Sequence, residues 1–282
     1  MGQCAHPEGC ATEQAQRANH EHSAVLGPEG RWVSARIPKG APLSKRLPGG
    51  WMSGSRLVGG QVRRPVGPHT PFVHDLLRHL EAAGFPGAPR VVGIDGGEEV
   101  LTYVQGHVPV EVAPTAIRPI VFSPEGVASA FALIRRYHDV VAGIPLAGGA
   151  EVVCHGDLSP WNTVYGERGA VALIDWDGAA PGSRLADVGY ATWRYLMLGF
   201  PASPPLDEQR RLLAAAAGGY GLYDRAALLD AASAAQDAQR RHFEAAHDVG
   251  DPRYVRLIGL GALGAITNAQ RWLDAARGRL LR

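Results

Sequence analysis

Two short segments, HGDLSPWN at 155–162 and IDWD at 174–177, hold the side chains best suited to chemistry. Pro160 lacks an amide hydrogen and interrupts any regular ladder, so the first segment is expected to be a loop of fixed shape. Val152 to Cys154 reads as a very short strand before it. Thr163 to Tyr165 and Val171 to Ile174 read as a hairpin about the Gly166 to Gly169 turn. That hairpin brings Asn162 and Asp175 to one end, where two side-chain oxygens converge. Such a pair suits Mg²⁺, a hard cation held by one or two protein oxygens together with a phosphate. Asp157, five residues before Asn162 on the same loop, can accept the proton of an attacking hydroxyl. The expected chemistry is phosphoryl transfer, in which the protein positions the γ-phosphate and neutralises its charge.

A hydrolase using His155, Asp157 and the carboxylates at 175 and 177 is the competing enzyme class. It fits less well, because dinuclear hydrolases gather several histidines and few lie near this segment. Cys4, His6, Cys10, His20 and His22 match no paired zinc framework and are expected to belong to an extension without a metal.

The elements that must hold the loop follow from periodicity. Arg56 to Arg64 reads as one or two strands, stopped by Pro65 and Pro68. Phe72, Leu76, Leu77 and Leu80 recur at helical spacing, and strands at 90–94 and 100–104 flank an Asp-Gly-Gly turn. Ser123 and Pro124 start a helix whose stripe is Val127, Phe131, Ile134, Tyr137 and Val141. Residues 206–282 read as several further helices.

HGDLSPWN followed by IDWD resembles the catalytic-loop and metal-binding motifs of the aminoglycoside phosphotransferase and choline kinase families, and the likeness runs from about Leu47 to Asp187. The resemblance implies an α+β, bilobal protein-kinase-like fold with a small β-rich N-lobe and a larger, mainly helical C-lobe. The expected division is a poorly ordered N-terminal extension over 1–40, a nucleotide-binding N-lobe over 41–108 and a C-lobe over 109–282 with the catalytic loop and acceptor-binding helices. By position it implies that Asp157 is the catalytic base and that Asn162 and Asp175 are the metal ligands, with Asp177 in support. It also gives His155 and Asp187 the task of bracing the loop. EVLTYV would be the hinge against which adenine lies, with backbone groups of Leu101, Tyr103 and Val104 as partners. The implied cofactors are ATP, with GTP as the other candidate, and Mg²⁺.

Two positions depart from the pattern. The strand that carries the phosphate-anchoring Lys in kinases reads QVRRP here, so Arg63, or failing it Arg64, must take that role. The helix Glu that pairs with this Lys is missing; Val73 and His74 fall near its place, with Asp75 as a shorter partner. These departures motivate the alternative of a non-catalytic nucleotide-binding protein on the same fold. PGGWMSGS at 48–55 is a candidate loop over the phosphates.

Composition limits the partners. A net charge of +1 gives no electrostatic case for nucleic acid or an anionic membrane, so the expected partner is a small hydroxyl-bearing acceptor. The run Leu257 to Ile266 is too short to span a bilayer, and the three scattered cysteines suggest no disulfide framework, so a cytoplasmic setting is expected. Residues 206–282 carry nine Asp and Glu against eleven Arg, which speaks against a polycationic acceptor. Asp230, Asp237 and Glu244, seven apart, form an acidic stripe expected to face solvent. Trp193, Tyr195 and Trp272 are expected in the core rather than stacked on an acceptor.

Overall fold

Five antiparallel strands make the main sheet, in the order β3 (Lys45–Arg46), β4 (Arg56–Val58), β5 (Gln61–Pro65), β7 (Glu98–Thr102), β6 (Val91–Asp95). The computed structural model describes residues 54–109 and 120–282, preceded by the backbones of β1 (His22–Leu26), β2 (Trp32–Arg36) and β3 (Lys45–Arg46). Cys4, His6, Cys10 and His20 lie outside the described residues, as does most of the 48–55 loop. Within the expected 1–40 extension, β1 and β2 pair antiparallel.

β4 (Arg56–Val58) and β5 (Gln61–Pro65) form a hairpin through Gly59 and Gly60, both at positive φ. The expected strands after the first helix are β6 (Val91–Asp95) and β7 (Glu98–Thr102), turning at Gly96 and Gly97. β7 also pairs with β5, and this register sets Arg64 opposite Glu99. Directly opposed residues project from the same face of a sheet, so these two side chains share one surface. Helix α1 (Thr70–Ala82) begins with a Pro in its first turn and buries Val73, Leu76, Leu77 and Leu80 completely.

The remainder is mainly helical. Ser123 caps α2 (Pro124–Val140), its side chain accepting from the Gly126 amide at 3.0 Å, and Val127, Phe131, Ile134 and Tyr137 are fully buried. Each such apolar side chain contributes roughly 1.5–3 kcal/mol by leaving water. Two small sheets follow. β8 (Val152–Cys154) pairs with β11 (Ala180–Gly182), and β9 (Thr163–Gly166) pairs with β10 (Gly169–Leu173) as the sequence predicts. Helix α3 (Arg184–Tyr195) then lies against α5 (Arg225–Asp248), while α4 (Leu206–Tyr220) lies against α2. α6 (Pro252–Gly259) and α7 (Ala262–Leu280) complete the chain. One core runs from α1 through α2 to α7, with Trp176, Tyr137 and Tyr195 among its largest members. The fold is the expected α+β arrangement, a small sheet region joined to a larger helical part.

Candidate active site

The 155–162 loop is fixed from beneath by one buried carboxylate. Asp187, in the first turn of α3 and 2% exposed, accepts from the His155 amide through Oδ2 at 2.7 Å and from the Gly156 amide through Oδ1 at 3.0 Å. Oδ2 also pairs with His138 Nε2 at 3.0 Å, and His138 Nδ1 meets the Tyr220 hydroxyl at 2.8 Å. Burial alone would raise the Asp187 pKa, but His138 and the His155 amide outweigh it and hold the carboxyl below its ordinary value. Gly156 has φ +80 and rests on the carbonyl of Gly178, which any Cβ would strike, so the loop is pressed against the turn after IDWD. His155 is fully buried with its ring 4.4 Å from that of Trp176. Its Nε2 meets the Ile174 carbonyl at 3.1 Å and its Nδ1 the Asp157 amide at 3.3 Å. His155 and Asp187 thus brace the loop.

The hairpin brings the three oxygen-bearing side chains together. Asn162 donates from Nδ2 to Asp157 Oδ2 at 2.7 Å and to the Asp157 carbonyl at 3.0 Å. The Ile174 amide donates to the Asn162 carbonyl at 2.9 Å, which ties the loop to the strand leading into Asp175. Asp175 itself adopts a left-handed conformation, φ 63 and ψ 70, that few side chains tolerate without local support. Burial first, then the neighbouring Asp177, push its carboxyl up to about 6 against the pull of Arg64. Asp157, Asn162 and Asp175 line one cleft of ≈ 1820 Å³, together with Arg64, Glu99, Leu101, Tyr103 and Val104.

Of the two arginines in β5, Arg64 turns into the cleft and Arg63 turns away. Strand alternation decides this: Arg63 Nη1 reaches Asp95 Oδ2 at 2.9 Å on an exposed edge, whereas Arg64 is 6% exposed. Arg64 Nε donates to Glu99 Oε1 at 2.6 Å. Its terminal nitrogens reach Asp177 at 3.0 and 2.7 Å and Asp175 at 3.4 Å. Burial opposes the guanidinium charge, yet Asp177, Glu99 and Asp175 together raise its pKa. Asp75 is no partner of this cation; it lies on the exposed face of α1 beside Arg78 at 3.4 Å. His74, the next residue toward the core, meets the second oxygen of Glu99 at 3.0 Å.

Sequence reasoning missed two contributors, Glu99 and Tyr190. Glu99 is visible only through the β5–β7 register, and it is the link through which His74, noted near the place of the helix Glu, reaches Arg64. Tyr190 donates from its hydroxyl to Asp157 Oδ1 at 2.7 Å, and its only sequence signal was its place three residues after Asp187 on the same helix. Asp177, expected in support of the metal site, holds the Arg64 guanidinium in this structure.

The alanine face of α5, with Ala227, Ala231, Ala234, Ala235 and Ala238, also lines the cleft. Within the acidic stripe of that helix, Asp230, which also lines the cleft, binds Arg277 of α7 at 2.5 Å, Asp237 accepts from Gln270 at 2.5 Å, and Glu244 pairs with Arg240 at 2.8 Å. Trp193 and Tyr195 are core residues, and Trp272 packs against the core as expected. Trp161 of the loop lines the cleft, with the Arg194 guanidinium 4.5 Å from its ring centre.

Residues 130–229, which hold the entire loop and both braces, match the model of the phosphotransferase enzyme family, APH. The trifolitoxin immunity protein of Rhizobium leguminosarum bv. trifolii is 34% identical over 151 residues, or 48% of this chain and 55% of that protein. The chain thus spans about half the length of that relative. Among solved structures, a mutant aminoglycoside 2′-phosphotransferase-IIIa in its GDP complex aligns with a TM-score of 0.54 at 14% identity, covering 86% of this chain and 96% of that one. A choline/ethanolamine kinase family protein from Mesorhizobium loti aligns with a TM-score of 0.51 at 16% identity, covering 83% and 94%. The family-model match over the segment that holds both motifs, and a fold shared with these kinase-like structures, agree with the resemblance that the two motifs carry.

Proposed function

We propose that the protein is an ATP-dependent small-molecule kinase that transfers the γ-phosphate to a hydroxyl of a small acceptor. The observation that carries this reading is the convergence of Asp157, Asn162 and Asp175 at one hairpin end, facing the buried Arg64 across a single cleft. Asp157 accepts the proton of the acceptor hydroxyl as the hydroxyl oxygen bonds to the γ-phosphorus and the bond from that phosphorus to the departing ADP breaks. Tyr190 and Asn162 fix the rotamer in which the Asp157 carboxylate does so. The terminal nitrogens of Arg64 form a planar fork suited to phosphate oxygens. The backbone of Leu101 to Val104 receives the base, in a nucleotide-binding lobe ending near residue 108.

The donor set suits Mg²⁺. Asn162 uses its amide nitrogen toward Asp157, which leaves its oxygen for a cation, and Asp175 supplies one carboxylate. Two protein oxygens are what Mg²⁺ needs when phosphates complete its shell. When bound there, the ion supplies charge neutralisation for the transferred group.

The acceptor class is an aminoglycoside-like molecule, a sugar or an amino alcohol, and the Asp230–Arg277 pair weakens the polycationic option. Calorimetric titration with ATP and GTP, each with and without Mg²⁺, tests the nucleotide half. Micromolar, Mg²⁺-dependent binding that Arg64→Ala abolishes supports the proposal, and an absence of binding by the wild type overturns it. One observation favours the non-catalytic alternative: the Arg64 fork is closed on Asp177 and Asp175. Nucleotide binding without transfer to any hydroxyl would select that reading.

A further inference from the structure

We propose that Glu99, clamped by His74, orients Arg64 for phosphate, so that a strand-borne carboxylate does the work of the missing helix carboxylate. This rests on the role proposed above for Arg64. Three observations carry it. First, Arg64 and Glu99 are directly opposed in the β5–β7 register, so their contact is built into the sheet and does not depend on the placement of a helix. Second, the contact is made through Nε, at 2.6 Å, and so does not use the end-on edge formed by the two terminal nitrogens. Holding Nε leaves the Nη1–Nη2 edge directed into the cleft, where Asp175 and Asp177 now meet it. Third, Glu99 is 1% exposed and has both oxygens engaged, Oε1 by Arg64 and Oε2 by His74 Nε2 at 3.0 Å. A buried carboxylate held at both oxygens has one orientation and passes it to its partner.

The chemistry explains why an arginine stands here. A lysine offers one point of charge, and a Glu99 this close would hold its ammonium at the sheet. The guanidinium can be fixed at Nε by one carboxylate and still present two donors to a phosphate. His74 lies on α1 near the place of the helix Glu, and it acts on Arg64 only through Glu99. Glu99 and His74 are therefore positioning residues.

The test measures the affinity of the full chain for Mg²⁺–ATP and for adenosine in Glu99→Gln, His74→Phe, His74→Gln and Arg64→Lys. Adenosine has no phosphates, so a defect in Arg64 orientation weakens ATP and spares adenosine. Glu99→Gln and Arg64→Lys are expected to weaken ATP at least about tenfold, the scale of one charged hydrogen bond. His74→Phe should weaken it severalfold, and His74→Gln, which keeps a donor toward Glu99, should restore it. The double variant Arg64→Lys with Glu99→Gln should lose little more than either single change, because the two residues act as one unit. Equal loss of ATP and adenosine, or additive losses in the double variant, would overturn the assignment. If Glu99→Gln fails to fold, His74→Phe and Arg64→Lys still decide it, since unchanged ATP affinity in both would also overturn it. Failure of the wild type to bind either probe would count against the proposed function itself, a result distinct from these.

Discussion

Replacing Asp187 by Ala removes the acceptor for three N–H groups at once: the His155 and Gly156 amides and His138 Nε2. Hydrogen bonds to a charged group contribute about 1.5–3 kcal/mol each, and they do not add when one carboxylate serves all three. Breaking a buried, paired charge from one side costs about 3–5 kcal/mol, which is the better guide for a group 2% exposed. At about 2–4 °C per kcal/mol for a chain of this size, the melting temperature of Asp187→Ala should fall by roughly 10 °C. Asp187→Asn keeps one carbonyl oxygen but turns an NH₂ toward a backbone or ring donor, so it should fall by about half as much. The pH dependence has a fixed sign. The folded-state pKa is depressed, so this stabilisation is fully present above the unfolded value of about 3.9 and is lost as pH falls through the lower folded value. The gap between wild type and Asp187→Asn in urea denaturation should therefore narrow below about pH 4. A melting point within 2 °C of wild type for Asp187→Ala, or a gap that widens in acid, would refute this account of the brace.

Two further outcomes follow from the same geometry. Tyr190→Phe removes the 2.7 Å hydrogen bond to Asp157 Oδ1 and should lower kcat about tenfold with an unchanged KM for ATP, as steady-state kinetics would show. Cys154 is 9% exposed, and burial, with Asp187 nearby, pushes its thiol well above the ordinary cysteine value. In a chain with Cys4 and Cys10 replaced by Ser, alkylation by iodoacetamide at pH 8 should therefore be slow until denaturant is added.

The geometry of the 155–162 loop is legible because it is local. Strand 152–154, the Pro160 break and the 163–174 hairpin lie within 25 residues, and their order alone brings Asn162 beside Asp175. The helix starting at Ser123 and the α1 stripe were readable for the same reason, since cap and periodicity are local signals. What escaped depended on pairings between distant segments. Choosing Arg64 over Arg63 required the facing of β5, and two adjacent arginines carry no period that reveals it. Glu99 became the partner of Arg64 through a register set 35 residues away, and Asp177 became its clamp across 113. The acidic stripe of α5 keeps Asp230 and Glu244 substantially exposed, as its spacing suggests; what the spacing does not show is that α7 supplies Arg277 and Gln270 to two of its members.

The central claim is that Asp157 moves a proton while Arg64 and the hairpin bind the nucleotide. It is tested most directly by comparing wild type and Asp157→Asn in two assays: calorimetric binding of Mg²⁺–ATP, and phosphate transfer from ATP to a panel of aminoglycosides, sugars and amino alcohols. The wild type should phosphorylate at least one acceptor. Asp157→Asn should bind ATP within about twofold of wild type and lose about 10²–10⁴-fold in transfer. Transfer by Asp157→Asn at the wild-type rate would contradict the account.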